Sequence, residues 1–487
     1  MQVSDLTLRC LRHFARCLAV LLLPLVPPAQ AAPGAPVLSP PLRVAPGRQL
    51  TWSFPTATLQ PVLPQFCDDL TGHLWLAPDW NIPGPLDDTT WTDSDPLAGT
   101  SRFYRLVAVD PGQRGRLIES TSMGSLTAQE VGLGLQLGGI EFDPEYGVET
   151  WRLVYETIDP LGNPTVASGA LVVPLDAPGP LPFASYQHGT LASRAEAPSQ
   201  PPSQDGNREI LLGLAFASLG YVVALPDYLG LGVSPLVQPY HHAKSEATAC
   251  VDMLRAGREF GTNQSLRLSG QLFLVGYSHG GHATMALLRA LETFHADEFT
   301  VTAAAPMAGA YDLGGVTADS VLSGDPQPNP YYFALLLAGF QATYHFADNL
   351  ADLLQAPYDT TLPPLLDGTH TGGQINAAMP ARVLDILQPT LANALRNDPN
   401  HPVRVALRHN SLIDWKPYSP LRLYHCSGDQ DVPFANTVVA YESFLSQGAT
   451  QVEMINPVPG ANHSGCVEPS LRSALDWFQS LREPPTP

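Results

Sequence analysis

Lysine is almost missing from this chain. Lys244 and Lys416 are the only two, so nearly all of the 25 basic residues are arginine, set against 45 acidic ones. The resulting net charge of −20 excludes nucleic acid and anionic membrane surfaces as partners, because both select basic faces. Long apolar runs are missing too: nothing approaches the ~20 residues that a membrane-spanning helix needs. Cysteine is scarce, and the six present match no zinc-binding spacing. No residue pattern calls for a cofactor. With 14% charged and 44% hydrophobic residues the chain is globular, and its 49 prolines and 40 glycines imply many turns. At 487 residues it is long enough for two or three domains and a substantial core.

The N-terminus has the composition of an export signal, with the expected extent 1–31. Arg9, Arg12 and Arg16 precede a short apolar stretch, 17–26, and Ala29-Gln30-Ala31 offers a small-residue cleavage site. The mature chain is therefore expected in the periplasm or the medium. Cys67, Cys250, Cys426 and Cys466 would remain, in a compartment that permits disulfides.

Residues 35–119 have an all-β pattern, with strands expected over 49–54, 72–77 and 102–109 between Pro/Gly/Asp turns. This is the size of a small β-sandwich. Trp52, Trp75, Trp80 and Trp91 put four of the seven tryptophans here. They suit either a compact aromatic core or a face that grips a glycan or other polymer, the core being the ordinary use. A Gly/Leu-rich connector, 120–149, follows.

From residue 150 to 487, strands and helices alternate, which means a mostly parallel sheet covered by helices on both faces. Strands are expected over 151–158, 168–174, 182–187, 221–225, 272–275, 300–305, 421–426 and 451–455, with a hairpin at Gly162-Asn163-Pro164. One long insertion, 313–420, separates two consecutive strands. Its periodicity is helical over 331–345, 349–354 and 381–396. An insertion of this size over the site edge of such a sheet is expected to be a cap that selects substrate.

Within the alternation, Gly276-Tyr277-Ser278-His279-Gly280 lies between an apolar strand and a helix-like Ala/Leu/Met run. A G-x-S-x-G match alone is weak. Strand, sharp turn and helix together are the setting of a nucleophile elbow, in which the serine occupies a strained turn between residues that must be small. A serine hydroxyl needs a base, an acid that orients the base, and an oxyanion hole. On this kind of sheet the chain order is serine, acid, histidine. Asp429 follows an apolar strand and His463 follows the next, both at the edge that carries Ser278. Asp431 and Asp312 are the alternative acids, and an Asx turn or helix cap is the ordinary use of all three. Among 14 histidines, His463 is singled out by order and loop position. The His279 side chain is expected to pack away from Ser278, His425 lies within a strand, and His241 and His242 have no placement that reaches the elbow. The N–H of His279 and that of Thr190, in the loop His188-Gly189-Thr190, are the expected oxyanion donors. Cys426 and Cys466 flank the acid and the base and, if joined, would tie the two loops; two buried free thiols are the alternative.

The segments YQHGT, PDYLGLG, GYSHGGH, NSLIDW, HCSGDQDVPFANT and NHSGC follow one another as in secreted α/β-hydrolases. Over about 150–481 the chain resembles the secretory lipase-like group of bacteria and fungi. The resemblance implies an α/β-hydrolase fold with a helical cap and a serine esterase or lipase acting on an ester without a cofactor. Carried over by position, it implies Ser278 as nucleophile, Asp429 as acid, His463 as base, and His279 and Thr190 as oxyanion donors. Serine peptidase activity on the same fold, and an inert glycan-binding protein, are the competing expectations. The β-rich N-terminal region lies outside the resemblance.

Overall fold

The computed structural model describes residues 114–140, 142–201 and 209–483, and before them five strands. These are β1 (Leu42–Val44), β2 (Thr51–Ser53), β3 (Val62–Cys67), β4 (Thr90–Thr92) and β5 (Arg102–Ala108). They pair antiparallel in two small sheets, β1-β5-β3 and β2-β4, the second placing Trp52 opposite Trp91. The expected signal peptide, the strand over 72–77, and Trp75 and Trp80 lie outside the described residues.

Among the described residues, nine more strands form one sheet. They are β6 (Leu117–Leu126), β7 (Val148–Ile158), β8 (Pro164–Pro174), β9 (Leu181–Gln187), β10 (Val222–Pro226), β11 (Leu268–Tyr277), β12 (Ala303–Met307), β13 (Leu421–Tyr424) and β14 (Val452–Ile455). Their spatial order is β14-β13-β12-β11-β9-β10-β8-β7-β6. Neighbours from β14 to β10 run parallel, whereas β8, β7 and β6 pair antiparallel. With helices on both faces and the crossover at β9 and β10, this is an α/β-hydrolase fold. The expected hairpin joins β7 to β8, and Gly162 turns it at φ 88°.

The sheet starts earlier than the sequence pattern suggested. β6 and the helix Ala128–Leu137 fill most of the stretch that spans the end of the expected β-rich unit and the Gly/Leu-rich connector, to which the sequence assigns no structure. β6 was illegible because it is an edge strand: eight of its ten residues are exposed, so no apolar alternation marks it. The helix was hidden by its two glycines, although Thr127 and Glu130 form a reciprocal capping box at its start.

β11 lies between β9 and β12, and its alternation feeds both faces. Leu272 and Leu274 join the core beneath the helices Ala243–Asn263 and His279–Phe294, while Phe273 and Val275 join the core beneath Glu209–Ala217 and His463–Leu481. All four side chains are buried.

Residues 313–420 form the expected helical cap. Its main helices are Tyr331–Tyr344, Pro389–Asn397 and Pro402–His409, and its core gathers Leu337, Phe340, Leu362, Ile386, Leu395 and Leu407. The helix expected over 381–396 is split, because Pro389 starts a new helix and a single 3₁₀ turn, Val383–Ile386, precedes it. Tyr104 of β5 is buried in the same cluster, so the N-terminal strands contribute to the cap's core.

Cys426, just after β13, is joined to Cys466 in the helix His463–Leu481, while Cys250 is buried as a free thiol. The bridge closes a loop of 40 residues. Replacing both partners by serine should therefore destabilise the fold by about 2–4 kcal/mol. A thermal melt of the double variant beside the parent checks this, and an unchanged midpoint would contradict it.

Candidate active site

Ser278 stands between β11 and the helix His279–Phe294 with φ 61° and ψ −120°, a conformation that L-residues avoid. The surroundings hold it there. Its N–H donates to Met307 O at 2.8 Å, and its carbonyl accepts from the N–H groups of Gly281 and His282 at 2.9 and 3.2 Å. The neighbouring glycines have no room for a side chain: a Cβ on Gly280 would lie 2.0 Å from Gln187 O, and one on Gly276 2.5 Å from Gly280 O. This packing of helix start against strand end is why the motif needs glycine at both positions.

His463 Nε2 lies 2.9 Å from Ser278 Oγ, and His463 Nδ1 lies 2.5 Å from Asp429 Oδ2. A carboxylate only accepts, so Nδ1 carries the proton and Nε2 is left to accept from the serine hydroxyl. Asp429 Oδ1 takes the backbone N–H groups of Asp431 and Val432 at 2.9 and 3.0 Å. Burial alone would raise the Asp429 carboxyl, but donors from His425, His463 and Val432 outweigh it and hold it below the usual carboxylate range. The phenol of Tyr277 donates to His463 O at 2.6 Å, and Asn462 caps the helix that His463 begins.

The alternative acids are engaged elsewhere. Asp431 Oδ2 accepts from Asn329 Nδ2 of the cap at 2.7 Å. Asp312 accepts from the N–H groups of Gly315 and Val316 at 3.0 and 2.9 Å. The N–H groups of His279 and Thr190 have no acceptor among the described residues. The Thr190 hydroxyl is held 2.6 Å from the Tyr240 phenol.

Three groups near the elbow escaped the sequence reading. Glu246, buried in the helix Ala243–Asn263, accepts from His279 Nε2 and His282 Nδ1, each at 2.7 Å. His282 Nε2 also lies 3.0 Å from Asn410 O, so both ring nitrogens face acceptor oxygens. Burial opposes a charge on Glu246, yet its two histidines overcome this and hold the carboxyl well below its ordinary range. Burial pushes His279 down despite Glu246, so we take it as a neutral ring donating to a carboxylate. The i, i+3 spacing of His279 and His282 on one buried helix face was the available signal for an acidic partner.

His241 does reach the elbow. With φ 57°, it lines the cavity that holds Ser278, and its ring centroid is 4.8 Å from that of His279. Ligand-type atoms of His241, Glu246 and His279 lie within 4.8 Å of one another. Both Glu246 oxygens are already engaged by ring N–H groups, so hydrogen bonding accounts for the cluster. The third group is His425, which lies just past β13 and not within the strand as expected, with Nε2 3.1 Å from Asp429 Oδ2.

The cavity in front of Ser278 runs under the cap. Tyr240, His241 and Asp431 line it together with Val321, Phe333 and Leu336. A second, wholly apolar cavity shares Leu313, Val321, Phe333 and Leu336 and continues to Phe340, Leu395 and Leu407. The described helices include none long and apolar enough to cross a membrane.

The chain is similar to Lipase 5 of Candida albicans, with 23% identity over 367 residues, covering 69% of this chain and 73% of the relative. Among solved structures it resembles the rice cell wall degrading esterase LipA of Xanthomonas oryzae, with 30% identity and a TM-score of 0.66, covering 75% of this chain and 98% of that one. A putative hydrolase of Legionella pneumophila gives 28% identity and a TM-score of 0.69, covering 76% and 99%. A sequence profile of the secretory lipase family matches residues 207–481, which include Ser278, Asp429 and His463. That match spans more than half of the chain, which therefore belongs to the secretory lipase family of carboxylic-ester hydrolases.

Proposed function

We propose that Ser278, His463 and Asp429 are the catalytic triad of an exported esterase or lipase that works through an acyl-enzyme. The observation that carries this reading is the unbroken relay from Ser278 Oγ through His463 to Asp429 Oδ2. Ser278 Oγ attacks the ester carbonyl while His463 Nε2 takes its proton. The carbonyl π electrons move onto oxygen, giving a tetrahedral oxyanion that the N–H groups of His279 and Thr190 stabilise. As the oxyanion collapses, the alkoxide leaves with the proton from His463. Water, deprotonated by the same ring, then releases the carboxylic acid. Asp429 keeps the ring in the required tautomer and stabilises the imidazolium. Export rests on the N-terminal pattern of residues 1–31 and on the family. The chain divides into that signal, a β-rich unit, and a hydrolase domain that starts at β6 and carries the cap.

The apolar walls beyond Ser278 favour an acyl chain over a polar acid. The chain would run between Val321, Phe333 and Leu336 toward Phe340 and Leu407. The cap thus sets acyl length, and the alcohol leaves on the side of Tyr240 and Asp431.

A Ser278→Ala protein should fold normally and lose turnover of p-nitrophenyl esters by roughly 10⁵-fold or more; ester hydrolysis at the parental rate would end the triad reading. Leu336→Trp narrows the passage between the two cavities and should move the preferred acyl chain to shorter lengths. A p-nitrophenyl ester series from acetate to palmitate measures this, and an unmoved preference would remove the cap from the acyl site.

A further inference from the structure

We propose that His425 is a positioning residue for ester hydrolysis: it orients the Asp429 carboxylate toward His463 by donating to the very oxygen that His463 uses. This rests on the triad reading above. Asp429 Oδ2 receives His463 Nδ1–H at 2.5 Å and His425 Nε2–H at 3.1 Å. Oδ1 is held by Asp431 and Val432, which belong to the same loop as Asp429. Among these donors His425 is the one fixed to the sheet from outside the loop: it follows β13 directly, and its backbone N–H donates to Ile455 O of β14 at 2.9 Å.

The ring has little freedom. Its Nε2 also lies 3.1 Å from Val432 O, and its Nδ1 lies 2.7 Å from the Thr437 hydroxyl. A carboxylate and a carbonyl both accept only, so the proton is on Nε2, and Nδ1 accepts from Thr437. The side chain is wholly buried, with the Phe434 ring 5.3 Å away, edge to face. Asp429 is the charged side chain that meets it, with His463 across the same oxygen. A histidine at this place is thus oriented from both tips. The carboxylate it meets cannot turn about its Cβ–Cγ bond without breaking a bond to the sheet. Supporting hydrogen bonds of this kind fix a catalytic group's geometry without touching substrate.

The test compares His425→Leu, which removes the donor, with His425→Gln, whose amide N–H can replace Nε2–H. For His425→Leu we expect kcat on a soluble ester to fall roughly 10- to 100-fold, as for loss of a hydrogen bond to a charged group, with KM little changed. The acidic limb of its kcat/KM profile should move to lower pH, because a displaced Asp429 stabilises the imidazolium less. His425→Gln should recover most of kcat and return the limb. A lower melting temperature with kcat and the limb unmoved would reduce His425 to a structural residue and overturn the proposal. If His425→Leu does not fold, ¹⁵N-edited spectra of the parent protein decide. A His425 proton bound to Nε2 supports the assignment, and one bound to Nδ1 overturns it. Retained turnover in Ser278→Ala would instead strike the triad itself, whatever the His425 variants do.

Discussion

The contact on which the rest of the site depends is between backbones: the start of the helix His279–Phe294 pressed against the end of β9. Gly280 lies so close to Gln187 O that even a methyl group would collide. That closeness lets the chain leave β11, pass through Ser278 at φ 61° and enter a helix at once. It also seats His188, at the start of the loop that leads to Thr190, against Gly280. The strain at one residue is sustained by three backbone hydrogen bonds and by burial of β11 on both faces.

Beneath the elbow lies an ionic layer unusual for a protein interior. Glu246 is shared by His279 and His282, and Asn410 joins that layer to the cap. Its carbonyl accepts from His282, its side-chain oxygen accepts from Ala243 N, and its amide donates to the Tyr344 phenol and Ala406 O. A buried charge left alone would cost several kcal/mol, so each group here depends on the others. The same logic governs Asp429, whose charge is affordable in a buried place because four donors converge on it.

The cap lies over this arrangement. Its helices build their own core, and the space they leave above Ser278 is lined mainly by apolar side chains. The Asn329 amide of the cap donates to Asp431, so an aspartate of the acid loop serves as an anchor for the cap.

Much of this was legible in one dimension. Alternating apolar runs identified the sheet from β7 to β14, because strands buried on both faces are written in continuous hydrophobic letters. The order of Ser278, Asp429 and His463, each just past a strand, was visible because strand ends on one edge converge. The edge strand β6 was not, since exposure erases the pattern that reveals a strand. Neither were Glu246, His241 and His425: an acidic residue in an amphipathic helix and a histidine beside a strand look ordinary until distant segments meet. The sequence by itself determined the kind of sheet, the place of the elbow and the insertion of a helical cap, all local or periodic properties. Only the tertiary structure decided which donors hold Asp429, where the imidazoles find their charge partner and what shape lies beyond Ser278. Those depend on how separate segments meet in space: His463 reaches Asp429 across 34 positions, and Glu246 lies 33 and 36 positions from His279 and His282.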